Sequence, residues 1–263
     1  MGYVYDTISG KGWIRPRLGG EAIIDTAIKN TGVEASGESV NELTENEAKL
    51  IAMKLDRLAP VEFNPTVSKM VTRNYENICT MVQRIKHETS GVFRGMKAVG
   101  NDLDLLWLIP QMVGASAKFF NKTVTDSLGV YGSARDADQY YIWEHSFTAA
   151  GTDEDIIPSQ TMCEECACLH MGIADTMGIP KVDAIEFTIE GQPMPDQGLQ
   201  QLKMAYKPYK LSAVAMEFEY PVYVGPETTQ LVEIEPTRDG GQDAIQLCTI
   251  VVAMAKDLAF CIA

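Results

Sequence analysis

Val214-Ala-Met-Glu-Phe-Glu-Tyr-Pro-Val-Tyr-Val224 is the stretch on which the reading of this chain turns. Val214, Met216, Phe218, Tyr220, Val222 and Val224 alternate with Ala215, Glu217, Glu219, Pro221 and Tyr223. A period of two is that of a strand with one face in a core and the other in water. The pattern therefore sends Tyr220 inward and sets Glu217 and Glu219 on the wet side.

The same alternation spreads outward from this stretch. Tyr141, Trp143, His145 and Phe147 show it, as do Ile185, Phe187 and Ile189 against Glu186, Thr188 and Glu190. Val232 and Ile234 alternate with Glu233 and Glu235. Ile245–Met254 is apolar on both faces and reads as a central strand. Asp155–Met162, Glu165–Ile173 and Gln201–Ala205 bring the set to roughly eight short strands. Turn signals punctuate them at Gly151, Gly178, Pro180, Gly191, Pro193, Gly225-Pro226 and Asp239-Gly-Gly241. Antiparallel strands at this spacing, with no helix between them, predict an acidic β-sandwich over residues 140–263, in jelly-roll form.

Before Gln139 the apolar spacing changes to three and four. Thr44-Glu45-Asn46-Glu47 has the spacing of a capping box. Ala48, Ile51, Leu55 and Leu58 then line one helical face, and Pro60 ends it. A second helix opens at Asn64-Pro65 and carries the stripe Val67, Met70, Val71, Ile78, Met81, Val82 and Ile85 as one unit up to Gly91. A third helical region is expected from Asp102 to Leu128, interrupted by Pro110 and Gly114. Residues 1–41 are Gly-rich and polar and read as an extended arm, followed by a helical segment over 42–139. The fold class is thus α+β.

Charge divides at the same place. Residues 1–139 hold 16 Lys/Arg against 17 Asp/Glu, whereas residues 140–263 hold 6 against 19, out of a net −14 for the 263 residues. The strand glutamates account for this acidity as a property of a solvated β-surface. A pI near 4.6 argues against sequence-specific nucleic-acid binding, which needs clustered Lys and Arg. No apolar run reaches the length that spans a bilayer. The start, Met-Gly-Tyr-Val-Tyr-Asp, lacks the basic and apolar segments of a secretory signal. Asp6 stands where a myristoylation motif wants Ser or Thr.

Cys163, Cys166, Cys168 and His170 form the one cluster with metal-ligand chemistry, since thiolates and imidazole suit zinc. Reduced thiols are the expectation, with Cys166, Cys168 and His170 on one strand face and Ala167, Leu169 and Met171 on the other. Same-face neighbours along a strand lie nearly 7 Å apart, too far for three in a row to share an ion, so buried strand cysteines are the preferred reading and no metal or cofactor is assigned. Asp153-Glu154-Asp155 and Asp239-Gly-Gly-Gln-Asp243 offer oxygen ligands without the spacing of a calcium loop. His87, His145 and His170 are too few for a metal-binding cupin site. Neither a nucleophile elbow nor a phosphate loop is present, and no catalytic residue is assigned. Arg15, Arg17, Lys69, Arg73, Arg84 and Lys86 are read as solvated positions balanced by Glu62, Glu76 and Glu88.

The arm from Gly2 to Asn41, the helical segment, and the stretch from Tyr220-Pro-Val-Tyr-Val-Gly-Pro-Glu227 through Ile245–Ala255 together resemble a virion structural protein of the capsid type from phages or archaeal viruses. The resemblance is one of organisation. It implies a shell-forming subunit in a large homo-oligomer within a virion assembled in the host cytoplasm. Other virion proteins are its further implied partners, the acidic β-domain faces solvent, and the arm and helices contact neighbours. An HK97-like fold is the alternative architecture. The alternative functions are a glycan-binding, lectin- or adhesin-like sandwich using Tyr206, Tyr209, Tyr220 and Tyr223, and a metal-dependent enzyme built on Cys163–His170.

Overall fold

Thr44 and Glu47 cap the first helix, α1 (Glu45–Leu58), reciprocally. The Thr44 amide donates to Glu47 Oε2 at 3.0 Å and the Glu47 amide donates to Thr44 Oγ1 at 3.2 Å. Glu47 also accepts from Lys86 Nζ at 2.7 and 2.9 Å and from the Val99 amide at 3.3 Å. Both Glu47 and Lys86 are buried, so this ion pair joins the start of α1 to the end of a later helix. Burial alone would raise the Glu47 pKa, but the bonds from Lys86, Thr44 and Val99 together hold it below its ordinary value.

The expected single helix from residue 65 is two, α2 (Pro65–Arg73) and α3 (Tyr75–His87). The break falls at Asn74, where the Met70 carbonyl accepts from both the Asn74 amide at 3.0 Å and Asn74 Nδ2 at 2.9 Å. The stripe survives the break, because Val67, Met70, Val71, Ile78, Met81, Val82 and Ile85 are all buried.

The computed structural model describes residues 3–6, 12–16, 43–58, 65–87, 99–109, 112, 133–134, 143–147, 153–175, 181–194, 197–198, 214–237 and 241–255. Within the arm, β1 (Tyr3–Asp6) pairs antiparallel with β2 (Gly12–Pro16); residues 17–42 lie outside the described residues. The other strands are β3 (Leu103–Trp107), β4 (Ser133–Ala134), β5 (Trp143–Phe147), β6 (Glu154–Thr161), β7 (Ala167–Asp175), β8 (Val182–Ile189), β9 (Gln192–Pro193), β10 (Gln197–Gly198), β11 (Val214–Val224), β12 (Thr229–Pro236) and β13 (Gly241–Met254). The strand expected at Gln201–Ala205 lies outside the described residues.

One sheet runs β11-β7-β13-β5, with β4 beyond β5 and β3 on β13; the other runs β10-β8-β12-β6, with β9 on β8. Leaving out the short β3, β4 and β9, the partners β5·β13, β6·β12, β7·β11 and β8·β10 are those of a long hairpin rolled into two sheets. This is the expected jelly roll. The described elements of 140–263 include no interleaved helices, as an HK97-like fold would require.

The two sheets meet through Phe187 of β8. Its ring centroid lies 4.9 Å from that of His170 on β7 and 5.5 Å from that of Phe218 on β11. The opposite face of the β11-β7-β13 sheet is covered by α2 and α3, and α1 packs on β3. One apolar core therefore runs from the helices through both sheets. β13 has helices on one side and a sheet on the other, which is why Ile245–Met254 has no polar face.

Two expectations require correction here. Leu103–Trp107, read as helix, is strand β3 and pairs with Met254–Ile250 of β13. Its Leu-rich sequence is ambiguous locally, and the open edge of β13 decides its state. Glu217, read as solvated, faces the helices instead: it pairs with Arg73 Nη1 at 2.5 Å and lies 3.4 Å from Asn74 Nδ2. The helical layer covers the face that alternation alone assigned to water.

Met70 of α2 packs directly onto Gly172 of β7. A Cβ there would strike the Met216 carbonyl and come within 2.7 Å of Met70 Sδ. Gly172→Ala is expected to destabilise the protein by about 1–3 kcal/mol in urea denaturation. Shortening Met70 should not restore stability, because the Met216 carbonyl belongs to the backbone.

Candidate functional site

Strand β11 does not run evenly along β7. Glu217 stands opposite Gly172 and Val222 opposite His170, so Phe218, Glu219, Tyr220 and Pro221 together face Met171. Bulges of this kind re-aim side chains. Phe218 stays in the core, whereas Tyr220 is turned out and is 57% exposed. This overturns the inward placement of Tyr220 that strict alternation implies. Pro221 suits the bulge because it has no amide proton left without a ladder partner.

The bulge forms one wall of a cleft of about 350 Å³, with Tyr220, Pro221 and Tyr223 on that side. Asn77, Thr80, Met81 and Arg84 of α3 form the other wall, and Leu169 of β7 lies between them. Helical spacing presents Asn77, Thr80, Met81 and Arg84 on one side of α3. The Arg84 guanidinium lies 4.9 Å from the centre of the Tyr223 ring, a cation–π contact. The Tyr220 hydroxyl hydrogen-bonds Glu219, and that bond and the carboxylate's charge raise its pKa, so what Tyr220 offers the cleft is the face of its ring. The cleft thus combines an exposed aromatic ring with a guanidinium, an amide and a hydroxyl.

The cysteine cluster is divided. Cys163 and Cys166 are joined by a disulfide across a four-residue turn, with Cα atoms 5.2 Å apart. This corrects the expectation of reduced thiols at these two positions. The turn links β6 of one sheet to β7 of the other and is closed by the Cys166 amide donating to the Cys163 carbonyl at 3.2 Å. Cys168 and His170 face the other sheet, as the strand pattern predicts. His170 Nδ1 is 2.7 Å from Thr249 Oγ1, and its Nε2 is 2.8 Å from Gln230 Oε1 and 3.5 Å from Cys168 Sγ. Burial drives the Cys168 thiol up to about 12 and the His170 imidazole down to about 4, although the Gln230 contact opposes both shifts.

Among the described residues, no three His, Cys, Asp or Glu groups gather as a metal set. Asp239 lies outside the described residues, and nothing is described of the Asp243, His87, His145 or Arg15 side chains; Arg17, Tyr206 and Tyr209 also lie outside. Of the basic residues, Arg73 and Lys86 are paired with carboxylates and Arg84 belongs to the cleft. No described helix is long and apolar enough to cross a membrane.

Sequence reasoning placed Tyr220 and Tyr223 among the ligand candidates but not Asn77, Thr80 or Arg84 beside them. Only the packing of α3 against β7 brings these helix residues to the bulge.

No family model and no curated protein matches the sequence. Among solved structures, the chain is similar to a family 35 carbohydrate binding module from an environmental isolate. Identity is 10% over 59% of this chain and 91% of that one, with a TM-score of 0.21. At that score the likeness carries no argument, and the jelly roll rests on the strand pairing alone.

The buried imidazole makes stability depend on pH. An unfolded histidine takes up its proton near 6.5, whereas folded His170 does so only near 4, so the unfolded chain binds more protons between these values. Stability is then expected to fall as pH drops from about 6.5 to 4, by up to about 3 kcal/mol. Urea titrations at several pH values check this, and His170→Gln should flatten that part of the profile.

Proposed function

We propose that this chain is a non-catalytic binding module that takes a hydroxyl-rich ring ligand, a glycan, in the cleft between α3 and the β11 bulge. The observation that carries the reading is the outward turn of Tyr220. An exposed ring offers an apolar face on which a sugar ring stacks, and Asn77, Thr80 and Arg84 lie where they can bond its hydroxyls. The cleft's volume falls within the range of small-molecule sites. The core does not need Tyr220 and gains little from so exposed a side chain.

Glycan-array screening followed by calorimetry on the best hit tests this. Tyr220→Ala is expected to weaken binding by about 2 kcal/mol, roughly thirtyfold in Kd, with the melting temperature unchanged. Arg84→Ala should weaken it as well. Wild-type protein that captures no glycan, or a Tyr220→Ala variant that binds equally well, counts against the module.

A second reading, a self-assembling shell subunit of a virion, is favoured by the sheet that the described helices leave uncovered. There Asp155, Glu233 and Glu186 stand abreast on β6, β12 and β8. Burial, followed by the charges of Asp155, Asp153 and Glu186, raises the Glu233 pKa. An acidic row of this kind suits an outer surface that must keep particles apart. Regular particles in negative-stain microscopy would support the shell, whereas a strictly monomeric species across concentration and salt would exclude it.

A further inference from the structure

Met162, Cys168, His170 and Gln230 are all buried between the two sheets, and their polar atoms converge. Gln230 Nε2 lies 3.5 Å from Met162 Sδ and 3.8 Å from Cys168 Sγ, while its Oε1 lies 2.8 Å from His170 Nε2. Cys168 Sγ and His170 Nε2 are themselves 3.5 Å apart. The Gln230 amide thus occupies the point toward which two sulfurs and one imidazole nitrogen face. Among the described residues its NH₂ group meets sulfur, a weak acceptor.

Directly across the strand pair from Gln230 stands Gln160. It is 1% exposed, and neither of its amide atoms has a hydrogen-bond partner among the described residues. Leaving such a group unpaired is costly, and an apolar residue would serve a sandwich core better. Packing alone therefore does not account for two glutamines, a histidine and two sulfurs in this layer.

We propose that this cluster binds one monovalent soft metal ion, Cu(I), through Cys168 Sγ, His170 Nε2 and Met162 Sδ, with the Gln230 amide turning aside to pair with Gln160. Thiolate, thioether and imidazole are the ligands a soft ion selects. Charge selects the oxidation state. Cu⁺ displaces the Cys168 thiol proton, which leaves to solvent, and the resulting Cu⁺–thiolate pair is neutral. A divalent ion with the same single thiolate would leave a net positive charge in a fully buried site. Thr249 supplies the orientation: with Nε2 ligating, the imidazole proton sits on Nδ1 and is donated to Thr249 Oγ1, 2.7 Å away. Cys163 and Cys166 take no part, since their sulfurs are bonded to one another. With every donor buried between sheets, the ion enters as the sheets close during folding.

The test is to express the full chain in copper-supplemented medium, desalt it anaerobically, and measure copper per chain with X-ray absorption at the copper edge. Wild type should retain about one equivalent with sulfur and nitrogen neighbours and no Cu(II) paramagnetic signal. Cys168→Ser and Met162→Leu should each weaken retention roughly tenfold or more, while Cys248→Ser and the paired Cys163→Ser/Cys166→Ser variant keep it. Met162→Leu preserves apolar volume, so it remains informative if Cys168→Ser fails to fold. Wild type retaining less than about a tenth of an equivalent, or copper unchanged in both ligand variants, overturns the proposal.

Discussion

The burial of β7 and β13 on both faces is the constraint on which the other layers depend. Each strand has a sheet on one side and helices on the other, so most of its side chains are apolar and buried. The helices can settle on this pair only because Gly172 gives up its side chain where Met70 arrives. They are held there by the buried Glu47–Lys86 pair, which ties the beginning of α1 to the end of α3. Removing one partner of such a pair would leave a buried charge uncompensated, so the two are locked to one another. The second sheet then closes over the other face through Phe187.

Much of this was legible in the residues. Strict alternation located β8, β11 and β12, and the mostly apolar stretch Ile245–Met254, interrupted at Gln246 and Thr249, located β13 as the covered strand. The capping box at Thr44 and the stripe from Val67 to Ile85 are local patterns with local causes, and both appear as expected. What could not be read was set by partners distant in the chain. Leu103–Trp107 became a strand because β13 had an open edge for it. Glu217 became an ion-pair partner because Arg73 sits above it, and an acidic residue on an alternating strand cannot reveal what will cover it.

The candidate cleft shows the same division more sharply. Tyr220 and Tyr223 could be picked out as aromatic, yet the alternation that found the strand also pointed Tyr220 the wrong way. The bulge is a mismatch between two strands, and one strand's sequence does not contain it. Pro221, in the middle of an otherwise regular strand, was the one available sign, since proline is poorly suited to an even ladder. In the cysteine cluster, strand geometry correctly separated the faces. The disulfide at the turn depends on the chain reversing between the sheets, which the spacing of Cys163 and Cys166 permits without demanding.

The bulge also bears on how this chain can change over time. Strand register is normally unforgiving, because a single inserted residue sends every later side chain to the opposite face. In β11 the pairing is already suspended between Glu217 and Val222 and then resumes in phase with β7. Glu219, Tyr220 and Pro221 can be gained, lost or exchanged there while Phe218, Val222 and Val224 stay in the core. The surface beside α3 can therefore diversify while the jelly roll beneath it remains the same, so that recognition and folding answer to separate parts of the sequence.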